Sequence, residues 1–139
     1  MRQHLILRVV SKLLIPFLLI FAMYVQFHGD FGPGGGFQAG VIIAAAFVLY
    51  GLIFGLRKLK KIVPATLLEI LVPLGVLIFA GVGVVTWLLG GNFLDYNLLD
   101  PHDPSHGQHL GILLVEAGVL ITVASTMLLI FYTFASRGR

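Results

Sequence analysis

The chain has 139 residues, of which 58% are hydrophobic and 11% are charged, and its mean hydropathy is +1.01. This composition excludes an ordinary soluble domain. A membrane span needs about 20 apolar residues to cross roughly 30 Å of hydrocarbon, so the length of the chain accommodates about four helices and no soluble catalytic domain. The formal charge of +3 does not indicate a nucleic-acid surface because the basic residues lie only at helix ends, and the lack of cysteine excludes disulfides and thiolate metal sites.

Four apolar stretches, separated by segments rich in Gly, Pro, Asp and Lys, predict an all-α membrane protein with four transmembrane helices in one domain. The stretches cover about residues 9–27, 37–56, 67–89 and 110–134. The first follows basic residues as a signal peptide would, but no small-residue cleavage site follows it, so we interpret it as a retained helix. Pro16 and Pro73 are expected to kink the first and third helices because proline removes a backbone donor.

The basic residues indicate the topology. They occur only near the N-terminus, in the second connection and near the C-terminus, which all lie on one side of a chain with four spans. The first and third connections have no Lys or Arg and contain four aspartates. The positive-inside rule therefore predicts that both termini are cytoplasmic and that the long third connection, about residues 90–109, forms an external cap or docking surface.

A glycine-rich segment leads directly into the second apolar stretch. Its sequence is Gly32-Pro33-Gly34-Gly35-Gly36-Phe37-Gln38-Ala39-Gly40. The segment lacks the Gly-Lys-Ser/Thr ending of a phosphate-binding loop and follows no predicted strand, so we expect no nucleotide site. Small residues recur at nearly helical spacing at Gly32, Gly36, Gly40, Ala44, Gly51 and Gly55. This small face allows another helix to approach closely, from this chain or from a neighbour, and a flexible turn is the alternative.

Two carboxylates lie within apolar stretches, where a charge costs a few kcal/mol and usually faces a partner or an ion path. Glu69 lies roughly 8 Å into the third helix. Pro73 removes the amide that would bond the carbonyl of Glu69, so carboxyl and carbonyl together are a candidate cation or proton site. The alternative is a structural ion pair with Lys60 or Lys61 near the membrane surface.

Glu116 lies roughly 9 Å below the outer surface, and no cationic residue of this chain is expected at that depth. Such a carboxyl suits proton uptake or release, with His109, one heptad earlier on the same face, as the group through which protons arrive. The alternative is a buried neutral side chain that bonds a neighbouring subunit. The two carboxyls are separated by roughly 13 Å along the normal of a 30 Å core, too far for a direct hydrogen bond.

The motif Pro-Gly-Gly-Gly-Phe at 33–37, with His28 and Gly29 before it and Gly40 after it, resembles the MnhB/MrpB subunit family of Mrp-type Na⁺/H⁺ antiporters. The resemblance covers nearly the whole chain, including a His-Gly-x-x-x-Gly pattern at 106–111. It implies a small multi-pass subunit of the prokaryotic plasma membrane that assembles with several other membrane subunits into a complex exchanging Na⁺ or Li⁺ for protons. Similar domains occur in membrane-bound hydrogenases and related redox-driven pumps, so such a host complex is an alternative.

Other classes of function have less support in the residues. The sequence contains no nucleophile-base pair and no cofactor motif, so we expect neither an enzyme nor a cofactor. Histidines and aspartates of the third connection lack the helical spacing of a metal site, and we expect no metal. A purely structural scaffold and a self-contained channel stay open, although four helices this apolar give a pore little polar lining.

Overall fold

The computed structural model describes residues 5–29 and 32–137. Within these residues the regular elements are all helical: α1 (Leu5–His28), α2 (Gly36–Phe54), α3 (Leu56–Ile62), α4 (Ala65–Leu88), a single 3-10 turn (Tyr96–Leu99) and α5 (Pro104–Ser136). Helices α1, α2, α4 and α5 are long and apolar enough to cross a membrane. The all-α fold with four candidate spans is therefore confirmed.

The long helices pack in a row whose order differs from the chain order. Helix α5 packs against α2 on one side and α4 on the other, and α1 packs against the far side of α2. Helix α1 is the least covered: Ile6, Leu13 and Phe17 are 80%, 64% and 61% exposed. An open row of this kind leaves broad apolar faces that lipid or other subunits must cover.

Helices α2 and α5 run parallel with their backbones close together. Gly36 lies against the backbone carbonyl of Glu116, and Gly40 lies one turn further on against the carbonyl of Leu120. The contact advances by one helical turn on both helices, which defines a parallel pair in fixed register. The small face predicted for the second span therefore packs against a helix of the same chain.

Helices α4 and α5 form a second close pair, in the antiparallel sense. Gly75 and Gly118 face each other, and a Cβ atom at Gly118 would lie 2.7 Å from the carbonyl oxygen of Gly75. The hydroxyl of Thr122 donates to the carbonyl of Val72 at 3.3 Å. Pro73 lies inside α4, which continues through it, as α1 continues through Pro16. Glycine contacts thus fix α5 between two neighbours.

The second connection differs from the expected loop because residues 56–62 form helix α3. Gly55, with φ 98°, ends α2 and redirects the chain. Leu59 of α3 is fully buried in a cluster with Leu68 and Tyr132, and the Tyr132 hydroxyl donates to the Val63 carbonyl at 2.7 Å. The basic residues around Leu59 obscure its apolar spacing in the sequence, and so this helix was not predicted.

The third connection is also shorter than expected, because α5 begins at Pro104 rather than near residue 110. Asp103 caps the helix by accepting hydrogen bonds from the amides of Ser105 and His106 at 3.0 and 3.3 Å. Proline at the first helical position has a suitable φ and needs no amide partner. An apolar stretch marks the part of a helix that contacts lipid, whereas the N-cap residue determines where the helix begins. The apolar stretch from about residue 110 therefore did not reveal the first turns of α5.

The remaining connection, residues 89–103, folds back over α4 and α5, and we call it the acidic cap. The Thr86 hydroxyl accepts the amide of Leu94 at 3.0 Å and donates to the Gly83 carbonyl at 2.9 Å. The Tyr96 ring lies against Gly111 of α5. The cap is therefore fastened to both helices.

Candidate functional site

The described charged residues divide between the two ends of the row. At one end Arg8 and Lys12 of α1 lie over the Phe54 ring of α2, at 5.5 and 5.8 Å from its centroid. The Lys60 ammonium of α3 donates to Ser136 Oγ of α5 at 3.1 Å at the same end. The aspartates of the acidic cap lie at the opposite end. We call these the basic end and the acidic end.

Toward the acidic end, the carboxyl of Glu116 lies in a cradle of glycines. A Cβ atom at Gly29 would lie 2.7 Å from Oε1 and 2.9 Å from Oε2 of this carboxyl, and one at Gly35 would lie 2.7 Å from Oε1. A Cβ atom at Gly36 would overlap the backbone carbonyl of Glu116. Glycine at positions 29 and 35 therefore leaves room for the side chain of Glu116, and glycine at position 36 leaves room for its backbone.

The glycine-rich segment reaches Glu116 because it turns tightly over the end of α1. The Gly35 amide donates to the Val25 carbonyl at 3.1 Å, and a Cβ atom at Gly34 would lie 2.7 Å from the same oxygen. Gly35 has φ 114° and ψ 179°, a conformation that side-chain-bearing residues rarely adopt. The turn therefore requires glycine for its own backbone as well as for the neighbouring carboxyl.

The electrostatic surroundings of this carboxyl include the end of α2. Gly35 is the residue before α2, so the half-buried side chain of Glu116 lies at the N-terminal end of that helix. The first amides of a helix have no intrahelical acceptor, and the helix dipole places partial positive charge there. Helix ends of this kind are common binding sites for anionic groups.

Contact with the first turn of α2 also sets the level of Glu116 in the membrane. Helix α2 has 19 residues and is about 28 Å long, which barely crosses a hydrocarbon core of roughly 30 Å. Glu116 therefore lies where α2 begins its crossing. His109 lies on the same face of α5 with an exposed side chain, about 10 Å nearer the acidic end.

A buried amide side chain near this site was missed by the sequence interpretation. Gln26 is 7% exposed, and its Oε1 has no hydrogen-bond donor within the described residues. It shares the buried face of α1 with Ala22 and Val25 and lies one turn before Gly29, which touches the Glu116 carboxyl. A glutamine at helical spacing from Gly29 inside an apolar stretch was the available signal.

Glu69, the other membrane carboxylate, lies far from this cradle. Its side chain is exposed on α4, and no residue in the described ranges hydrogen-bonds or pairs with it. Lys60, one candidate partner, instead bonds Ser136 and lies 5.4 Å from the Tyr132 ring centroid. Pro73 follows on the same exposed face of α4. The structure therefore separates the two carboxylates: one faces helices of this chain and the other faces outward.

Comparisons with known proteins agree with this architecture. A family model described as the domain related to the MnhB subunit of Na⁺/H⁺ antiporter matches residues 6–129. A relative from Staphylococcus haemolyticus, named "Putative antiporter subunit mnhB2", is 33% identical over 127 residues, covering 85% of this chain and 89% of the relative. A relative of the same name from Staphylococcus aureus strain Newman is 34% identical with the same coverage. The chain therefore belongs to the family of domains related to the MnhB subunit of Na⁺/H⁺ antiporters.

Proposed function

We propose that the chain is a membrane subunit of a multisubunit antiporter that exchanges Na⁺ or Li⁺ for protons across a prokaryotic plasma membrane. Family membership, the naming of relatives as antiporter subunits and four spans support this proposal. Within the complex the subunit contributes a carboxyl to the ion or proton path and an exposed helix face to assembly. The observation that carries the first role is the position of Glu116 against Gly29 and Gly35.

The cradle gives Glu116 properties that suit reversible ion binding. A carboxyl on such a path must hold a proton in one step and release it, or accept a cation, in another. The N-terminal end of α2 contributes partial positive charge, which stabilises the carboxylate less than a full cation would. The glycines leave its oxygens without bulky neighbours on that side. His109, further toward the acidic end on the same face, is positioned to pass protons to this level.

The assembly role rests on Glu69. An outward-facing carboxylate in an apolar helix is costly against lipid, so a membrane protein covers it with a partner group or with water. We assign Glu69 and the carbonyl freed by Pro73 to a contact with another subunit that supplies a cationic or hydrogen-bond-donating side chain. The exposure of Glu69 and the open row of helices support this assignment.

The test is Na⁺-dependent proton transport in everted membrane vesicles that contain the complete complex. Glu116→Gln keeps the shape of the side chain and removes its charge, and native gels establish that the complex assembles. We expect the assembled Glu116→Gln complex to lose most exchange, and Glu116→Asp to retain part of it.

Glu69→Gln is the matched control, because it removes the same charge from an outward-facing site. We expect Glu69→Gln to lower the amount of assembled complex, whereas the rate of Na⁺/H⁺ exchange divided by the amount of assembled complex should change less. Wild-type exchange by assembled Glu116→Gln would overturn the ion-path role and leave a scaffold. Exchange driven by a redox reaction instead of a Na⁺ gradient would overturn the antiporter assignment.

A further inference from the structure

We infer that the basic end of this subunit binds the headgroup phosphate of an anionic phospholipid, in a cavity between α3 and the end of α5. The cavity has a volume of about 210 Å³ and is lined by Leu56, Arg57, Lys60, Ala135 and Ser136. It lies well away from Glu116, so the inference is independent of the proposed ion path.

The polar groups of the cavity match a phosphodiester. Arginine offers several donors that can bind two phosphate oxygens at once, and lysine adds a compact positive charge. The hydroxyl of Ser136 lines the same cavity and accepts from Lys60 Nζ at 3.1 Å. None of the lining residues is acidic. Leu56 and Ala135 provide apolar walls where the glycerol and the first acyl carbons of a lipid would lie.

The walls of this cavity are held by buried contacts. Leu59, between the two cations in sequence, is fully buried in the core cluster and fixes α3 against α5. The Tyr132 hydroxyl ties α5 to the Val63 carbonyl at 2.7 Å, and the Tyr132 ring lies 5.4 Å from Lys60 Nζ. Lys60 is therefore oriented before any ligand arrives, which lowers the entropic cost of binding.

The location favours a lipid as the source of the phosphate. Helix α3 follows the end of α2 and precedes α4, so it lies at the membrane surface if those helices cross the bilayer. Helix α3 has the sequence LRKLKKI, and basic segments beside transmembrane helices attract anionic lipid headgroups. Basic pockets between transmembrane helices bind acidic headgroups at this level. Anionic lipids also lack the choline or ethanolamine cation that Arg57 and Lys60 would repel.

The experiment measures lipid binding to the purified complex in detergent. Native mass spectrometry counts retained phosphatidylglycerol, and thermal unfolding is followed with added phosphatidylglycerol, phosphatidylcholine or inorganic phosphate. The cavity variant is Arg57→Gln with Lys60→Gln, which removes both positive charges and keeps polar side chains at both positions. The control is Lys58→Gln with Lys61→Gln, which removes the same charge from the same helix outside the cavity lining.

We expect the cavity variant to bind phosphatidylglycerol at least tenfold more weakly and the control to bind it as the wild type does. Equal loss in both variants would overturn the site in favour of diffuse surface charge. If inorganic phosphate stabilises the wild type as much as phosphatidylglycerol does, the cavity is a site for free anions and not for lipid. If phosphatidylcholine stabilises it as much as phosphatidylglycerol does, the cavity does not select anionic lipids and the proposal is wrong. Unchanged lipid binding with reduced subunit assembly would assign this end to an acidic protein partner.

If the double variant unfolds, Arg57→Gln alone is measured in the same way. We expect it to bind phosphatidylglycerol more weakly than the wild type, and unchanged binding would overturn the site.

Discussion

The carboxyl of Glu116 and the backbone of Gly35 are in such close contact that a Cβ atom at Gly35 would lie 2.7 Å from Oε1. These two residues belong to segments far apart in the chain, and the parallel packing of α2 on α5 brings them together. Gly35 also has φ 114°, so its identity serves both the turn and the contact. Substitutions at Gly35, Gly55 and Gly29 separate the effect of the backbone conformation from the effect of the contact.

Gly35→Ala is expected to destabilise the subunit by about 2–4 kcal/mol, because it adds backbone strain to a clash with Glu116. Gly55→Ala is the control for strain alone, since Gly55 has φ 98° but nothing within 4 Å of an added Cβ atom. Gly81→Ala is the second control. It introduces neither backbone strain nor a clash, because Gly81 is helical and nothing lies within 4 Å of an added Cβ atom. Unfolding of the purified subunit in mixed detergent measures all three. The expected order of loss is Gly35, then Gly55, then Gly81, and equal losses at Gly35 and Gly55 would contradict the contact with Glu116.

Gly29→Ala tests the contact from the end of α1. Its added carbon would meet both oxygens of Glu116 and the Cα atom of Gly35, so the carboxyl must move and exchange by the complex is expected to fall about tenfold or more. Shortening the side chain should relieve the part of the clash that involves the carboxyl, and Gly29→Ala with Glu116→Asp is expected to recover part of the stability lost in Gly29→Ala alone. A double-mutant cycle on unfolding free energy and on Na⁺-dependent proton transport measures the coupling. Strict additivity of the two changes would show that the residues do not interact.

Thr86→Val tests how the acidic cap is fastened to α4. Thr86 is fully buried, and the substitution leaves the Leu94 amide without its acceptor, at an expected cost of about 1–3 kcal/mol. Leu94 also has φ 64°, which is uncommon for a leucine and needs such support. Hydrogen exchange at the Leu94 amide should accelerate in Thr86→Val and stay near wild type in Thr86→Ser, which keeps the hydroxyl. Fast exchange in both variants would indicate that the cap is held by other contacts.

The hydrogen bonds that Asp100 accepts predict that the acidic cap becomes less stable in acid. Hydrogen bonds from the His102 amide, the His106 side chain and the Asp103 amide lower the pKa of Asp100 below its ordinary value of 3.8. A lowered pKa in the folded state means that the carboxylate stabilises the fold above that ordinary value and that the contribution is lost as the pH falls below it. The protection factors of the amides in residues 100–106, which correct for the slow intrinsic exchange in acid, should therefore fall in the wild type as the pH drops below 3.8.

Asp100→Asn should show these lower protection factors already at neutral pH and lose the acid dependence. Asp95→Asn is the matched control in the same cap, because the Asp95 side chain accepts none of these three bonds. The same acid dependence in Asp100→Asn as in the wild type would assign the effect to another group.

Helix boundaries show where local sequence information ends. The apolar stretches located α1, α2, α4 and α5, because crossing a hydrocarbon core demands a run of apolar residues that few other structures need. They did not reveal α3 or the first turns of α5, which are helical but polar. Leu59 and Asp103 determine those segments, one through burial and the other through capping. Signals of that kind depend on single side chains and are easily obscured by surrounding charge.

The candidate functional residues divide in a similar way. Glu69 and Glu116 were both identified from the sequence, since any carboxylate in an apolar stretch is conspicuous, and the glycines around Gly35 were equally visible. Their association was not predicted, and Gln26 was missed altogether, because a contact between distant segments depends on the register of one helix on another.

The apolar stretches and the distribution of charge can be read directly along the chain, and they alone predicted a lipid environment, four membrane spans and one basic end. Only the tertiary structure decided that Glu116 faces glycines of the connection between α1 and α2 while Glu69 faces outward. The physical reason is that both carboxylates have nearly the same apolar neighbours along the chain, and which face of a helix is covered depends on the backbones that can approach it. Glycines permit that approach on both sides of α5, and the outer face of α4 has no such neighbour within the described chain.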